Sequence, residues 1–417
     1  MNAYFDEREV QDSEAREKDL FTRLPEFLST ATDKAPGLAR WLTGIALEDI
    51  RSRQDLARLP VLRKSELLRL QRDDPPLGGF ANIDALKGAH VFMSPGPIWE
   101  IQPPVPDPWH AARALFAAGV RAGDVAHNAF AYHMTPGGFM LDEGARALGC
   151  AVFPAGTGNT DVQVEAASAL RPAVYCGTPD FLKIMLDRAS EAGCDLSSFR
   201  IGLVSGGALF PSLRAEYAER GIRVLQCYAT ADIGVIAYET TNKDGEPLPG
   251  MIVNEDLIVE IVRPGTNDTV PDGEVGEVVV TSFNTAYPMV RLGTGDLSAV
   301  VSGASECGRT NMRLKGWMGR ADQRTKVKGM FIDPEQVGAL LKRHGEIARA
   351  RLVVTREGET DAMALHVEPA GGNALDEDAI ANSLRDITKL GGSVTTVPPG
   401  SLPNDGKVIA DERDYAR

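Results

Sequence analysis

The chain has 417 residues, 43% of them apolar and 24% charged, and a formal net charge of -14. That length exceeds what one hydrophobic core serves, so at least two domains are expected, and the composition is that of a folded chain rather than a disordered one. The acidic balance argues against nucleic acid as a partner, which needs a basic surface, but leaves room for a small phosphate ligand on glycine loops and helix N-termini.

The five cysteines, Cys150, Cys176, Cys194, Cys227 and Cys307, are scattered, odd in number and never spaced C-x-x-C, a pattern of reduced thiols rather than a disulfide framework. Residues 1–19 are charged throughout and read as no signal peptide, and no run of about 18 apolar residues marks a membrane span. A cytoplasmic location without membrane contact is expected.

In chain order, residues 1–60 read as polar helices broken at Pro25, Pro36 and Pro60. Residues 73–108 are rich in Pro and Gly and read as loops around one short strand at 90–93. From about residue 109 helices alternate with apolar strands. Helices are expected near 109–118, 138–148, 162–170 and 180–192, with strands at 125–130, 151–154, 173–176 and 201–204. Thr178-Pro179 reads as an N-cap followed by a first-turn proline, and a further helix follows Pro211. Such alternation implies right-handed crossovers and a mostly parallel sheet, an α/β body whose ligands sit at the carboxyl ends of the strands. Ser205-Gly206-Gly207-Ala208 and Tyr228-Ala229-Thr230 would lie there.

Residues 251–283 turn all-β. An alternating run covers 251–262, a turn follows at Pro271-Asp272-Gly273, and 277–282 is rich in valine, suggesting a small antiparallel β subdomain over about 251–318. The remaining chain reads as a compact α+β domain, with strands at 351–354, 362–367 and 393–397 and a helix at 377–387. The expected division is therefore a large domain over 1–319 and a small one over 320–417.

Three stretches carry chemistry. In Arg291-Leu292-Gly293-Thr294-Gly295-Asp296-Leu297 the glycines let the Asp296 carboxylate approach a ligand without crowding, as an acidic residue does on ribose hydroxyls. Gly319-Arg320-Ala321-Asp322 and a lysine- and glycine-containing run at 326–335 follow it. Ser401-Leu402-Pro403-Asn404-Asp405-Gly406-Lys407 taken alone is an exposed turn with a solvated lysine.

Together, in this order and spacing, these stretches resemble the late motifs of the adenylate-forming superfamily: acyl-CoA synthetases, luciferases and peptide-synthetase adenylation domains. "RAGDVAHNAFAYHMTPGG", "PDGEVGEVVVT" and "CGRTNMRLKGWMGRAD" make the resemblance closest to phenylacetate–CoA ligases, over roughly residues 85–417. It implies ATP-dependent activation of a carboxylic acid, aromatic or apolar, to acyl-AMP, then transfer to CoA. A carrier-protein thiol or an amine is the alternative acceptor, and a nucleotide-binding homologue with weakened catalysis the other reading.

By the same resemblance Asp296 and Arg320 hold the ribose, Tyr228 stacks on adenine beside Ala229, and Ser205, Gly206, Gly207 and Ala208 line the adenine pocket. Thr230 contacts phosphate, Asp232 holds Mg²⁺, and Lys407 stabilises charge as the carboxylate attacks the α-phosphate. Asp322 is the hinge of a mobile C-terminal lid. Phe130, Tyr132, His133 and Gly137 shape the acyl pocket, and a homodimer is a family expectation.

Two features depart from the family. The place of the phosphate loop reads Ser94-Pro95-Gly96-Pro97, where two prolines remove N–H donors and no lysine follows, so Ser94 and Gly96 are the only contacts it offers. Cys307-Gly308-Arg309 keeps a single cysteine, with Ser305 two positions before it, so no zinc site is expected.

Overall fold

The computed structural model describes residues 3–94, 97–207, 209–321, 323, 325–327, 330–357, 360–371 and 374–413. It falls into two compact units. The first comprises residues 1–259, 280–292 and 301–316, the second residues 260–279, 293–300 and 317–417. The chain passes from one to the other within the strands Leu257–Val262, Gly276–Ser282 and Leu292–Ser298.

The first unit is built on an eight-stranded sheet. Its order is Arg313–Leu314, Met251–Val253, Gly234–Tyr238, Arg223–Thr230, Ile201–Val204, Val174–Gly177, Val125–Asn128, Ala151–Phe153. The last five are parallel to one another and the first three join antiparallel. Strand residues alternate between two apolar layers because successive side chains of a strand point to opposite faces. Val174, Cys176, Ile201, Leu203, Leu225 and Cys227 pack with Leu115, Met140 and Leu141 of the helices Ala111–Ala118 and Gly137–Ala147. Tyr175, Val204 and Val224 pack on the other side with Val164, Leu182, Met185 and Tyr217 of the helices Thr160–Leu170, Pro179–Ala192 and Pro211–Glu219. A parallel sheet buried on both faces is why these strands read as continuous apolar runs.

The second unit carries a four-stranded sheet in the order Ser393–Thr396, Thr360–Pro369, Ile347–Glu357, Ile409–Asp411. The helices Pro334–Arg343 and Glu377–Thr388 complete its core through Val337, Leu340, Ile380 and Leu384. The expected α/β class therefore stands, with parallel and antiparallel sheets both present.

Four local expectations change. Pro25 does not break the first helix, which runs unbroken over Ser13–Lys34. Leu20, Phe21, Leu24, Phe27, Leu28 and Ala31 form one buried stripe across the proline, and that burial outweighs one lost backbone hydrogen bond. The single run 251–262 is two strands separated at 254–256, and Met251–Val253 belongs to the large sheet. The interruption is polar: Arg16 and Arg8 hold Glu255 and Asp256 there at 2.6 Å each. The short strand near 90–93 is half of a hairpin, Val91–Ser94 paired antiparallel with Ile98–Ile101. Thr178 stands at the N-cap of Pro179–Ala192, but its side chain makes no capping bond.

Gly144 lets the helices Ala111–Ala118 and Gly137–Ala147 touch. A Cβ there would lie 2.6 Å from the Ala111 Cβ and 2.8 Å from its backbone. Gly144→Ala should therefore destabilise the chain by about 1–3 kcal/mol despite alanine's better helix propensity, read as a lower urea midpoint. An unchanged or raised midpoint would remove the close-packing argument.

Candidate active site

The strand ends of the first unit converge where ligands of such sheets bind. Gly206 adopts φ +71°, a left-handed conformation suited to glycine, and a Cβ there would sit 3.9 Å from the Phe130 ring and from the Thr178 methyl. The ends of Val125–Asn128, Val174–Gly177 and Ile201–Val204 thus meet at one place. Ser205 donates its backbone N–H to the Gly177 carbonyl at 3.2 Å, Gly206 and Gly207 are exposed, and Ala208 lies outside the described residues. Tyr228, Ala229 and Thr230 end the neighbouring strand, half-buried, with a register shift between Tyr228 and Ala229 that re-aims the last side chains. The Thr230 hydroxyl oxygen is buried and has no hydrogen-bond partner among the described residues.

Phe130, Tyr132 and Gly137 come together beside them. A Cβ on Gly137 would be 3.9 Å from Phe130, and one on Gly138 would clash at 2.8 Å with the Tyr132 ring. The Tyr132 hydroxyl donates to Asp142 Oδ2 at 2.9 Å and accepts from Asn128 Nδ2 at 2.7 Å. Burial, with the Asp142 carboxylate, pushes its pKa upward, so the phenol stays neutral and holds its position. His133 is exposed, next to Met134, which has φ +64° and whose carbonyl accepts from the Met93 N–H.

A polar cluster lies under the hairpin tip at 94–97. Ser94 Oγ donates to Glu100 Oε1 at 2.5 Å, while Pro95 and Gly96 lie outside the described residues. Glu100 is buried, and burial together with the nearby Asp232 charge pushes its carboxyl up to about 8. Asp232 sits in the turn of the hairpin formed by Arg223–Thr230 and Gly234–Tyr238, its side chain wholly inaccessible, 2.6 Å from Lys64 Nζ. Lys64 opens the helix Lys64–Asp73. Gln71 of the same helix donates to the Trp99 carbonyl and accepts from the Trp99 N–H, both at 2.8 Å. The Tyr287 hydroxyl also donates to that carbonyl at 2.8 Å.

Asp232, expected to hold Mg²⁺, thus already holds a cation. Mg²⁺ is usually held by one or two carboxylates together with waters and substrate phosphates, and apart from the Lys64 ion pair neither Asp232 carboxylate oxygen has a hydrogen-bond partner among the described residues. Among the described residues no three His, Cys, Asp or Glu side chains cluster as metal ligands.

In the second unit Arg320 Nη1 and Trp317 Nε1 both donate to Asp296 Oδ1, at 2.9 and 3.1 Å. Gly295 permits this: φ is +75°, and a Cβ would lie 2.7 Å from Arg320 Nη2. The Ala321 N–H to Gly295 O bond at 2.8 Å and the Leu297 N–H to Gly319 O bond at 2.9 Å lock the two segments side by side. Asp322 lies outside the described residues. Lys407 is exposed on a fastened loop. Gln323 Nε2 donates to Gly406 O at 2.9 Å, and its Oε1 accepts from the N–H groups of Val408 and Ile409. Asp405 Oδ1 accepts from the Lys407 N–H at 3.0 Å and from Arg351 at 2.7 Å.

Four residues here had gone unremarked in the sequence: Lys64, Glu100, Trp317 and Gln323. Only Lys64 carried a signal, a cation opening a helix where the macrodipole disfavours one.

Residues 132–287 match the AMP-binding enzyme family. The phenylacetate-coenzyme A ligase of Thermus thermophilus is 29% identical, over 91% of this chain and 92% of its own. That of Pseudomonas putida is 28% identical over 88% and 84%. Among solved structures, 2-hydroxyisobutyryl-CoA ligase in the postadenylation state, in complex with 2-HIB-AMP, is similar with TM-score 0.72 and 26% identity, covering 99% of this chain and 93% of the other. The same ligase with 2-HIB-AMP and CoA in the thioester-forming state gives TM-score 0.70. The resemblance to adenylate-forming enzymes of the phenylacetate–CoA ligase type therefore holds along nearly the whole chain.

Glu100 makes stability depend on pH. Its carboxyl titrates higher folded than unfolded, so its contribution is fully present below about 4.5 and is lost as pH rises through about 8. Glu100→Gln cannot ionise and should gain stability relative to the parent as pH goes from 5 to 8.5. Equal changes in urea midpoint for both proteins would show that Glu100 is not held neutral.

Proposed function

We propose that this chain, an adenylate-forming protein of the phenylacetate–CoA ligase type, joins a carboxylic acid to CoA at the expense of ATP. A carboxylate oxygen attacks the α-phosphorus, the bond to the bridging oxygen breaks, and pyrophosphate leaves to give acyl-AMP. The CoA thiolate then attacks the acyl carbon and AMP departs, leaving the thioester. The observation that carries this reading is the Asp296–Arg320 pair beside Gly295, whose left-handed backbone leaves room for the Arg320 guanidinium, within a chain similar over most of its length to phenylacetate-coenzyme A ligases.

The residues take these roles. Tyr228 and Ala229, with Ser205 to Ala208, surround adenine. Asp296 accepts from the ribose hydroxyls, with Arg320 holding its carboxylate. Thr230, its hydroxyl without a partner among the described residues, donates to the α-phosphate. Lys407, presented on a loop fastened by Gln323 and Asp405, meets the negative charge that builds as the carboxylate attacks.

The acyl group lies against Phe130, Tyr132 and Gly137, with His133 at the rim. The aromatic rings suit an aromatic or apolar acid, and the Tyr132–Asp142–Asn128 network keeps them in place. A carboxylate substrate is already ionised at neutral pH, so no general base is called for. Mg²⁺ is expected with ATP but is assigned no ligand here. The small C-terminal domain, 320–417, is proposed to turn about Asp322 between the two steps, and a homodimer is consistent with the family.

Asp296→Ala should raise the KM for ATP and lower acid-dependent ATP–pyrophosphate exchange roughly 10²-fold, since a charged contact to the ribose is lost. Exchange at the parental rate with every acid would reject the ribose assignment. Lys407→Ala should slow acyl-AMP formation by about 10²–10³-fold, yet leave conversion of preformed acyl-AMP and CoA to thioester within about twofold. Equal losses in both half-reactions would sink the assignment.

A further inference from the structure

The adenylation reading leaves the outer phosphates of ATP without a cation, because residues 94–97 and their sequence neighbours bring no lysine. We propose that Lys64, held by Asp232 and fastened to the same hairpin, is the cation that binds the β- and γ-phosphates. The assignment rests on the nucleotide being ATP, as the ligase reading requires.

Three observations carry it. Lys64 reaches out of a closed site: its side chain keeps 28% of its surface exposed, whereas that of Asp232 keeps none. An ammonium has three donors, so one can stay on Asp232 while the others turn to a ligand. Lys64 also begins a ten-residue helix that no side chain caps. A helix N-terminus attracts a phosphate, so its free N–H groups and the Lys64 ammonium lie together on one anion-binding end.

The frame is rigid in the right place. Gln71, two turns along the helix, grips both backbone groups of Trp99 in Ile98–Ile101. The helix that Lys64 opens is thereby tied to the strand Ile98–Ile101. Beneath them Glu100, 1% exposed, takes the Ser94 hydroxyl on Oε1, while Oε2 has no hydrogen-bond partner among the described residues. A neutral Glu100 leaves Asp232 as the single negative charge opposite Lys64. The ammonium is then positioned without being over-neutralised, and it stays attractive to phosphate. Asp232 and Glu100 are positioning residues in this scheme. Lys64 is the one that touches substrate.

The test is calorimetric binding of ATP and of AMP, without acid or CoA, to the full chain and to K64Q, K64R and K64M/D232N. K64Q leaves the Asp232 carboxylate without its cation, whereas the double variant removes both charges and strands none, so a loss seen in both belongs to the ammonium and not to a stranded carboxylate. Both should weaken ATP roughly 10- to 100-fold and leave AMP within about twofold, with K64R between them and the parent. A merely structural role would weaken the two nucleotides alike. Parallel losses for ATP and AMP, or unchanged ATP affinity in a folded K64Q, overturn the proposal. A parent chain that binds ATP but activates no acid overturns the ligase reading and leaves Lys64 standing. A parent chain that activates acids while K64Q keeps its ATP affinity overturns Lys64 alone, and one that binds no ATP overturns both.

Discussion

A carboxylate with no access to water must find a cation or give up its charge, and Asp232 settles much of the first unit by finding one. It projects from the turn between two antiparallel strands into the body of the unit. Lys64, 168 positions earlier, has to come to it, and the helix it starts must lie along Ile98–Ile101. That placement in turn sets the Ser94–Glu100 bond and the buried Tyr287 hydroxyl over Trp99. Removing one member of such a pair costs more than the pair contributes, because the remaining charge stays buried. Ser94, at the end of the strand Val91–Ser94, is therefore tied through Glu100 to this buried polar cluster.

The two units treat their charged groups differently. In the first, Asp232 and Glu100 are buried, and burial with the nearby Asp232 charge pushes the Glu100 carboxyl upward. In the second, Asp296 lies in the strand Leu292–Ser298 while Arg320 and Lys407 are exposed, and backbone bonds to Gly295, Gly319 and Gly406 position the segments that carry them. Gly406 has φ +69° and approaches Val275 and Leu297 too closely for a side chain, so the turn before Lys407 is tight for packing as well as for conformation. Exposed pairs contribute little to stability and remain available to a ligand, whereas buried ones fix geometry.

How much could be read beforehand follows from the range of the forces involved. The parallel sheet was legible because apolar runs alternating with helical patterns are local signals, and Val174–Gly177, Ile201–Val204 and Pro211–Glu219 fall where those signals place them. Pro25 misled because a buried stripe acts over twenty residues and a proline over one. The 251–262 run misled because its interruption is made by arginines at positions 8 and 16, invisible to any local window. At the site, Asp296 and Arg320 were singled out by the family resemblance, and the fold brings the two side chains together. Lys64, Glu100 and Gln323 were not, since each acts only through partners 83 or more residues away or inside a cluster the fold assembles.

Trp317 gives the second unit a property of another kind. Its indole is exposed and its N–H is bonded to the same Asp296 oxygen that Arg320 holds. The chain has three other tryptophans, Trp41, Trp99 and Trp109, of which Trp109 is buried and the others half-buried. Whatever takes hold of Asp296 must disturb that indole's hydrogen bond and its solvent shell, and so its emission. The carboxylate is thus wired to a fluorophore of its own, and its occupancy can be followed by light without a label.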